Sequence, residues 1–254
     1  MQQLEPLRAD PHNTGVFLDF DGTLSLVVPD PDAAAIVDGA RELLEELARR
    51  YSIVAFISGR GAKDLRMRVG AAGPRYFGLY GAEEMTEFGL EQSPLAPRWR
   101  QSASALAAGA QNVIDAQHLV GCEVELKDLA VSVHFRGTGS EEPPDPLLEW
   151  ARTAAAAEGF RSGIGRKVIE LRPEMVSKAE TFQRLALEAG VKNVLVAGDD
   201  AADVEMMRRA SQLIRGVVVR VGMRSAEEPE GLAEQADVQV ASPAELVATL
   251  QHLL

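Results

Sequence analysis

Hydrophobic and polar residues follow two alternating patterns in the first third of the chain. Continuous apolar runs at residues 16 to 20, 51 to 57 and 76 to 80 predict short buried strands, and the apolar residues of 32 to 50 and 62 to 69 recur at helical spacing. A strand without polar alternation is buried on both faces, which is typical of a parallel sheet covered by helices. The pattern therefore predicts an α/β fold.

The pattern changes between residues 84 and 167. A long Ala-rich helix is followed by apolar runs that alternate with polar residues, as half-buried antiparallel strands do. We therefore predict an α+β domain inserted at residues 84 to 167 into a discontinuous α/β core of residues 1 to 83 and 168 to 254. The elements predicted here are helices at 97 to 119 and 146 to 158 and strands at 123 to 126, 130 to 136, 160 to 163 and 168 to 171.

The alternation of strands and helices returns in the last third of the chain. It predicts helices at 177 to 189, 202 to 210 and 244 to 254, a strand at 193 to 197 and another within the apolar run 213 to 221. The core sheet thus receives strands from both ends of the sequence.

Charge excludes some classes of partner. The 254 residues carry 26 Lys and Arg against 38 Asp and Glu, a formal charge of -12. The excess is spread along the chain and no segment is basic, which argues against nucleic acid or an anionic membrane surface as a partner. An anionic small ligand stays compatible with this charge, because a metal ion with two or three cations can reverse the field inside a pocket.

Cysteine content and hydropathy indicate a cytoplasmic protein. The single cysteine, Cys122, cannot form an intramolecular disulfide. No apolar stretch has the length of a signal peptide or a membrane span. We expect a soluble protein. A monomeric state is compatible with the sequence, which does not itself determine the oligomeric state.

Acidic residues follow two of the predicted strands. Asp19 and Asp21 come directly after the first strand and point to the same side, where open α/β sheets bind ligands. Two carboxylates this close repel each other unless a cation lies between them, and a hard divalent ion such as Mg²⁺ prefers oxygen ligands. A metal site is therefore predicted at this edge of the sheet.

A second acidic group follows the strand at 193 to 197. It consists of Asp199, Asp200 and Asp203, and it can meet the first group if the two strands are neighbours. Ser58 ends another strand and Lys178 begins a helix, which adds a hydroxyl and an ammonium for phosphoryl oxygens. Each residue alone is more often a turn or a solvated charge, but their joint occurrence at βα junctions indicates a phosphoryl-transfer site.

This order of motifs resembles the haloacid dehalogenase superfamily of phosphohydrolases, whose DxDGT signature is complete at residues 19 to 23. The resemblance implies a Rossmann-like core with a parallel sheet, an inserted cap domain and an aspartyl-phosphate mechanism. It implies that Asp19 is the nucleophile, and that Asp21 protonates the leaving alkoxide and then activates water. The remaining roles that it implies are Ser58 and Lys178 on the phosphoryl oxygens, Asp203 orienting Lys178 or a metal-bound water, and a Mg²⁺ site formed by Asp19, the main-chain carbonyl of Asp21, Asp199 and Asp200.

The inserted domain is similar to the cap of the trehalose-6-phosphate phosphatase family. It carries an E-x-K motif, an H-x-R strand and a Glu before Arg-Pro. The resemblance implies a cleft between cap and core that closes over the sugar. The substrate-binding residues predicted from the motifs are Gly59 and Arg60 after Ser58, then Glu125, Lys127, His134, Arg136 and Glu170. A strand His such as His134 is more often structural, and Arg136 also fits an ordinary surface charge.

Three departures from the family pattern bear on specificity. Tyr80 stands where the family has His, Ala202 and Val204 stand where it has Thr and Glu, and Ala179 replaces Gly after Lys178. We expect a Mg²⁺-dependent phosphatase acting on trehalose 6-phosphate. The alternatives are a phosphatase for another sugar or glycosyl phosphate, a non-catalytic sugar-phosphate sensor, and a phosphorylated signalling receiver.

Overall fold

The computed structural model describes residues 2–26, 28, 33–165, 167–225 and 228–254. The chain divides into two compact units. The core unit comprises Met1–Gln92 and Ser177–Leu254, and the inserted unit comprises Ser93–Val176. No helix in the described ranges has both the length and the apolar character needed to cross a bilayer.

The core unit contains an eight-stranded sheet in the order β12-β11-β10-β1-β2-β3-β4-β5. The six strands from β12 to β3 are parallel to one another. β4 pairs antiparallel with β3, and β5 pairs antiparallel with β4. Neighbours in the sheet are thus drawn from both ends of the chain. The strands are β1 (Thr14–Leu18), β2 (Ile53–Ile57), β3 (Arg75–Gly78), β4 (Glu83–Thr86), β5 (Gly89–Gln92), β10 (Asn193–Gly198), β11 (Val218–Met223) and β12 (Val238–Val240).

Helices cover both faces of this sheet. Val16 and Leu18 of β1 face a hydrophobic cluster that includes α2, α3 and α9, while Phe17 faces α6 and α7 and meets Phe182 edge to face at 4.8 Å. Burial on both faces explains the continuous apolar runs of the sequence. The helices of the core unit are α1 (Glu5–Ala9), α2 (Ala40–Arg50), α3 (Ala62–Val69), α6 (Lys178–Glu188), α7 (Ala201–Leu213), α8 (Leu232–Gln235) and α9 (Pro243–Gln251).

The inserted unit is an antiparallel sheet with two helices. The strand order is β6-β7-β9-β8, and residues such as Val131, Val133, Ile169 and Leu171 pack with the helices in one cluster. The opposite face of the sheet carries the polar residues of the same strands. The elements are α4 (Ala96–Ala116), β6 (Glu123–Lys127), β7 (Ala130–His134), α5 (Asp145–Ala157), β8 (Phe160–Gly165) and β9 (Val168–Pro173).

The predicted α/β architecture with an inserted α+β domain is confirmed, and its boundaries shift. Residues 84 to 92 belong to the core sheet, because β4 and β5 extend it beyond β3. Residues 168 to 176 belong to the inserted unit, because β9 pairs with β7 and β8. The insertion therefore lies at 93 to 176 rather than at 84 to 167.

The predicted helix at 32 to 50 is too long. Its helical part begins at Ala40, after Gly39 in a left-handed conformation with φ 76°. Within residues 33 to 39, which are described, Ile36 forms an isolated bridge with Ser25 instead. Residue 32 lies outside the described residues. The hairpin of β4 and β5 was not predicted, because its segments EEMT and GLEQ contain no continuous apolar run.

Gly78 allows a close approach between β3 and the start of α3. A Cβ at this position would lie 2.0 Å from the Ala62 nitrogen and 2.6 Å from the Gly61 carbonyl carbon, so backbone atoms would have to move. We expect Gly78→Ala to destabilise the core unit by about 1–3 kcal/mol, measured as a lower thermal midpoint. Gly163→Ala is the control, because open space surrounds Gly163. Equal midpoints for the two variants would contradict this packing argument.

Candidate functional site

The site begins where β1 ends, between its two neighbours in the sheet. β1 pairs with β10 on one side and β2 on the other, and Leu18 is level with Ala197 and Phe56. Asp19, Asp199 and Ser58 follow these three strands within two residues of that level. Parallel adjacency therefore brings to one edge the residues that the sequence predicted separately.

Lys178 binds the acidic groups of both strand ends. Ser177 caps α6 by accepting a hydrogen bond from the Glu180 backbone nitrogen, which fixes Lys178 as the first helical residue. The Lys178 Nζ lies 2.8 Å from Asp19 Oδ1 and 2.9 Å from Asp203 Oδ1. Lys178 is 1% exposed and Asp203 is fully buried. This ammonium therefore acts inside the protein, where charge pairs are strong.

Asp200 and Asp203 form the capping box of α7. Asp200 Oδ1 accepts from the Asp203 nitrogen at 2.8 Å, and Asp203 Oδ2 accepts from the nitrogens of Asp199 and Asp200 at 3.1 and 3.2 Å. Asp200 also lies 3.4 Å from Lys178, with its side chain 48% exposed. The capping box fixes Asp203 so that its other oxygen faces Lys178.

The pKa values of the site reflect one cation among several carboxylates. Desolvation raises the pKa of Asp19, and the charge of Lys178 opposes that rise. Desolvation lowers the pKa of Lys178, but the carboxylates of Asp19, Asp200 and Asp203 raise it well above its ordinary value. Desolvation, followed by the charges of Asp19 and Asp200, raises the pKa of Asp199 to about 8. Lys178 is therefore charged at neutral pH, and one lysine does not neutralise the group.

Three acidic side chains could hold a metal ion. Oxygens of Asp19, Asp199 and Asp203 lie within 4.8 Å of one another. A Cβ on Gly22, which has φ 73°, would lie 2.1 Å from Asp199 Oδ2, so only glycine leaves room for this carboxylate. The all-oxygen donor set and its uncompensated charge fit a hard divalent cation.

The acidic group differs from the predicted metal set. The predicted ligand Asp200 is outside it, with its Oδ1 accepting from the Asp203 nitrogen and its side chain 48% exposed, and the buried Asp203 occupies the group instead. The carboxylate of Asp21 is bound by Arg60. Both oxygens of Asp203 already accept hydrogen bonds, from Lys178 and from the backbone nitrogens of Asp199 and Asp200, whereas Asp199 is the one member of the group that is only partly buried.

The loop after β2 presents Ser58, Gly59 and Arg60 at the same edge. Ser58 is buried and its Oγ accepts from the Arg60 nitrogen at 3.2 Å. The Arg60 guanidinium donates to both Asp21 oxygens, at 2.6 and 2.7 Å. Tyr80 lies over Gly59, since a Cβ there would meet the Tyr80 hydroxyl oxygen at 3.0 Å. The structure thus joins Arg60 to the acid that follows β1.

The residues predicted for the sugar share one face of the inserted sheet. Glu125 is level with Ser132 on β7, and Ser132 is level with Glu170 on β9, so the three side chains share the face opposite the helices. Lys127 lies 3.2 Å and His134 2.9 Å from Glu125 Oε2. Arg136 is exposed and begins a short 3-10 turn after β7.

Sequence reasoning missed several residues that contact these groups. Thr23 was given no role beyond its place in the DxDGT signature, but it is buried and its Oγ1 donates to Asp19 Oδ2 at 3.3 Å. Asp64 accepts from Arg60 at 3.0 Å, and Ser132 lies in register between Glu125 and Glu170. The i, i+4 spacing of Arg60 and Asp64, at the start of the predicted helix at 62 to 69, was a usable signal for the contact between these two residues.

Comparison with known proteins shows consistent matches. A family model described as trehalose-phosphatase matches residues 17–235. A Mycobacterium tuberculosis protein named an uncharacterized glycosyl hydrolase is 36% identical over 214 residues, which are 81% of this chain and 16% of that protein. A trehalose-phosphate phosphatase of Mycobacterium bovis is 37% identical over 164 residues, which are 63% of this chain and 40% of that protein. The chain therefore spans less than half the length of these curated relatives.

Solved structures share the fold at lower identity. The trehalose-6-phosphate phosphatase of Aspergillus fumigatus gives a TM-score of 0.75 at 22% identity, with 99% of this chain and 96% of that chain covered. Haloacid dehalogenase-like hydrolases are among the other structures with this fold. At such identities the likeness establishes the architecture and not the substrate.

The raised pKa of Asp199 predicts how the metal-free chain responds to pH. Its pKa rises from 3.8 to about 8, so between these values the folded state holds a proton that the unfolded state releases. The free energy of unfolding of the metal-free chain should therefore fall as pH rises through this window. Asp199→Asn stays neutral, so its stability advantage over the unmodified chain should grow from about pH 6 to about pH 9 in denaturant titrations with a chelator.

The matched control is Asp237→Asn. Arg220 holds the pKa of Asp237 below its ordinary value against desolvation, so its substitution should cost the same throughout that pH range. Parallel stability profiles for Asp199→Asn and the unmodified chain would contradict the raised pKa.

Proposed function

Since the chain belongs to the trehalose-phosphatase family, we propose that it is a Mg²⁺-dependent phosphatase that hydrolyses trehalose 6-phosphate to trehalose and phosphate, the last step of trehalose synthesis. The observation that carries the proposal is the buried Asp19 beside Lys178 and Asp199 at the end of β1. A carboxylate nucleophile, an ammonium and a metal-binding acid are the groups that aspartyl-phosphate chemistry requires.

Asp19 is the nucleophile in this proposal. Its Oδ1 is held by Lys178 at 2.8 Å and its Oδ2 by Thr23 at 3.3 Å, which orients the carboxylate. A carboxylate oxygen attacks phosphorus, and the bond from phosphorus to the sugar oxygen breaks. The product of this step is an aspartyl phosphate on Asp19, and the sugar leaves as its alcohol.

Asp21 serves the leaving group and then the water. Its side chain is 41% exposed, so it is accessible to substrate, whereas Asp19 is buried. Asp21 gives a proton to the departing sugar oxygen and then takes one from the water that attacks the aspartyl phosphate. The water oxygen ends in inorganic phosphate, and the Asp19 carboxylate is released.

Charge at the site is arranged for a phosphoryl dianion. Ser58 and Lys178 bind its oxygens, and Asp203 positions Lys178 through their 2.9 Å contact. Mg²⁺ bound by Asp19, Asp199 and the Asp21 carbonyl would supply a Lewis acid that offsets the negative charge of nucleophile and phosphate. An acidic protein can therefore bind an anionic substrate locally.

The sugar is bound by the polar face of the inserted unit in this proposal. Glu125, Lys127 and Glu170 provide charged groups that each make several hydrogen bonds to hydroxyls, and His134 holds Glu125 in place. Arg136 lies next to this row and is included among the substrate contacts. A cytoplasmic location and a small sugar phosphate as partner are part of the same proposal.

A panel of sugar phosphates tests the function. We expect phosphate release to be fastest with trehalose 6-phosphate, lost after chelation and restored by Mg²⁺. Asp19→Asn should release no phosphate above the metal-free background, because an amide is a poor nucleophile. Unchanged turnover in Asp19→Asn would contradict the mechanism.

The same panel separates the alternatives. Faster phosphate release from a sucrose or glycosyl-glycerate phosphate would show that this ester, and not trehalose 6-phosphate, is the substrate. The panel includes these esters because Tyr80, Ala202 and Val204 depart from the family pattern. Absence of turnover with any phosphate ester, together with retained sugar-phosphate binding, would favour a sensor.

Glu125→Gln tests the sugar contacts. Loss of its charge-assisted hydrogen bonds should raise KM for trehalose 6-phosphate by about 10-fold and leave p-nitrophenyl phosphate, which has no sugar, nearly unaffected. Glu149→Gln on the exposed surface of α5 is the control in the same unit. An equal effect on both substrates would contradict a role for Glu125 in sugar binding.

A further inference from the structure

Arg60 forms a two-sided contact with acids from different elements. Its Nε and Nη2 donate to Asp21 Oδ2 and Oδ1 at 2.6 and 2.7 Å, and its Nη1 donates to Asp64 Oδ2 at 3.0 Å. The paired, parallel geometry with Asp21 is the strongest kind of Arg–carboxylate contact and defines the plane of the carboxylate. Asp21 is thus held from outside its own loop.

Surrounding groups make Arg60 rigid. Its side chain is 14% exposed, its guanidinium carbon lies 5.6 Å from the centre of the buried Phe20 ring, and its backbone nitrogen donates to Ser58 Oγ. Asp64 is fixed in turn by Arg68, whose Nε lies 2.8 Å from both Asp64 oxygens. A flexible surface pair has no such support, and a supported pair retains its geometry.

The contact leaves Asp21 able to react. Each carboxylate oxygen has two lone pairs, and the guanidinium engages one on each oxygen. Asp21 remains 41% exposed, so part of its side chain is open to solvent. Arg60 can therefore orient the carboxylate without blocking proton transfer from it.

We propose that Arg60, held by Asp64, is a positioning residue that fixes the carboxylate of Asp21 for proton transfer to the leaving group, rather than a ligand of the substrate phosphate. The inference rests on the proposed function, since it requires Asp21 to act as the acid. It adds Asp64, which contacts Asp21 only through Arg60, to the residues on which catalysis depends.

Leaving-group dependence distinguishes this role from phosphate binding. A sugar alkoxide needs a proton to depart, whereas p-nitrophenolate departs without one. The value of kcat/KM covers the steps up to departure of the leaving group, so later water attack does not affect it. Arg60→Lys should lower kcat/KM for the sugar phosphate by at least about 10-fold and for p-nitrophenyl phosphate by less than about threefold, because a general acid contributes about 10² to 10⁴.

Two further variants complete the experiment. Asp64→Asn keeps Arg60 but weakens its support, and it should show the same selective loss with smaller size, which keeps the test informative if Arg60→Lys folds poorly. Arg75→Lys is the control, because Arg75 makes an equivalent paired contact with Glu84, at 2.8 and 2.9 Å. Arg75 is the first residue of β3 and therefore lies at the sheet edge opposite the site. It should alter neither substrate's kcat/KM.

The outcomes separate this inference from the proposed function. Equal losses on both substrates in Arg60→Lys and Asp64→Asn, with an active unmodified enzyme, would overturn the positioning role and favour phosphate binding or general stability. An unmodified enzyme that hydrolyses neither substrate would overturn the phosphatase proposal and the inference with it.

Discussion

The buried ammonium of Lys178 is the interaction on which the site depends. It joins the end of β1, through Asp19, to the start of α7, through Asp203, while itself beginning α6. Breaking a buried ion pair by removing one partner costs about 3–5 kcal/mol, because the remaining charge stays in a poorly solvating interior. The three elements are therefore locked in one relative position, and the nucleophile that we propose inherits this rigidity.

The same arrangement leaves negative charge uncompensated. One ammonium faces the carboxylates of Asp19, Asp199, Asp200 and Asp203, and the pKa of Asp199 is raised to about 8 as a result of burial and its acidic neighbours. Such a group takes up either a proton or a cation. Gly22 adopts the left-handed conformation of the turn after β1, and its missing side chain leaves room for the Asp199 carboxylate. The same glycine therefore forms the turn and admits the second acid of the site.

The fold and the convergence of the acidic groups were predictable, because both follow from strand patterns. Continuous apolar strands require a covered parallel sheet, and residues just past parallel strands share an edge. What escaped prediction depends on contacts between distant residues. Arg60 and Asp21 are 39 residues apart, and the choice of Asp203 over Asp200 beside Asp19 follows from the capping box of α7. β4 and the edge strand β5 were not predicted because they carry few apolar residues, and the pairing that defines them is made by the backbone.

A strained segment links the loop after β2 to the helix of Lys178, α6. Leu79 and Tyr80 both adopt left-handed backbone conformations, at φ 49° and 59°, which cost free energy for side chains of this size. Their nitrogens donate to the carbonyls of Arg60 and Ser58, and the Tyr80 carbonyl accepts from Thr181 on α6 at 2.9 Å. Because the strain is held by hydrogen bonds to both partners, Ser58 and Arg60 take their positions relative to α6, and hence to Lys178. Ser58, proposed for the phosphate, and Arg60, proposed to hold the acid Asp21, are thus aligned by backbone contacts that depend little on the identity of residue 80. A Tyr in place of His therefore leaves the alignment intact and changes only the surface over Gly59.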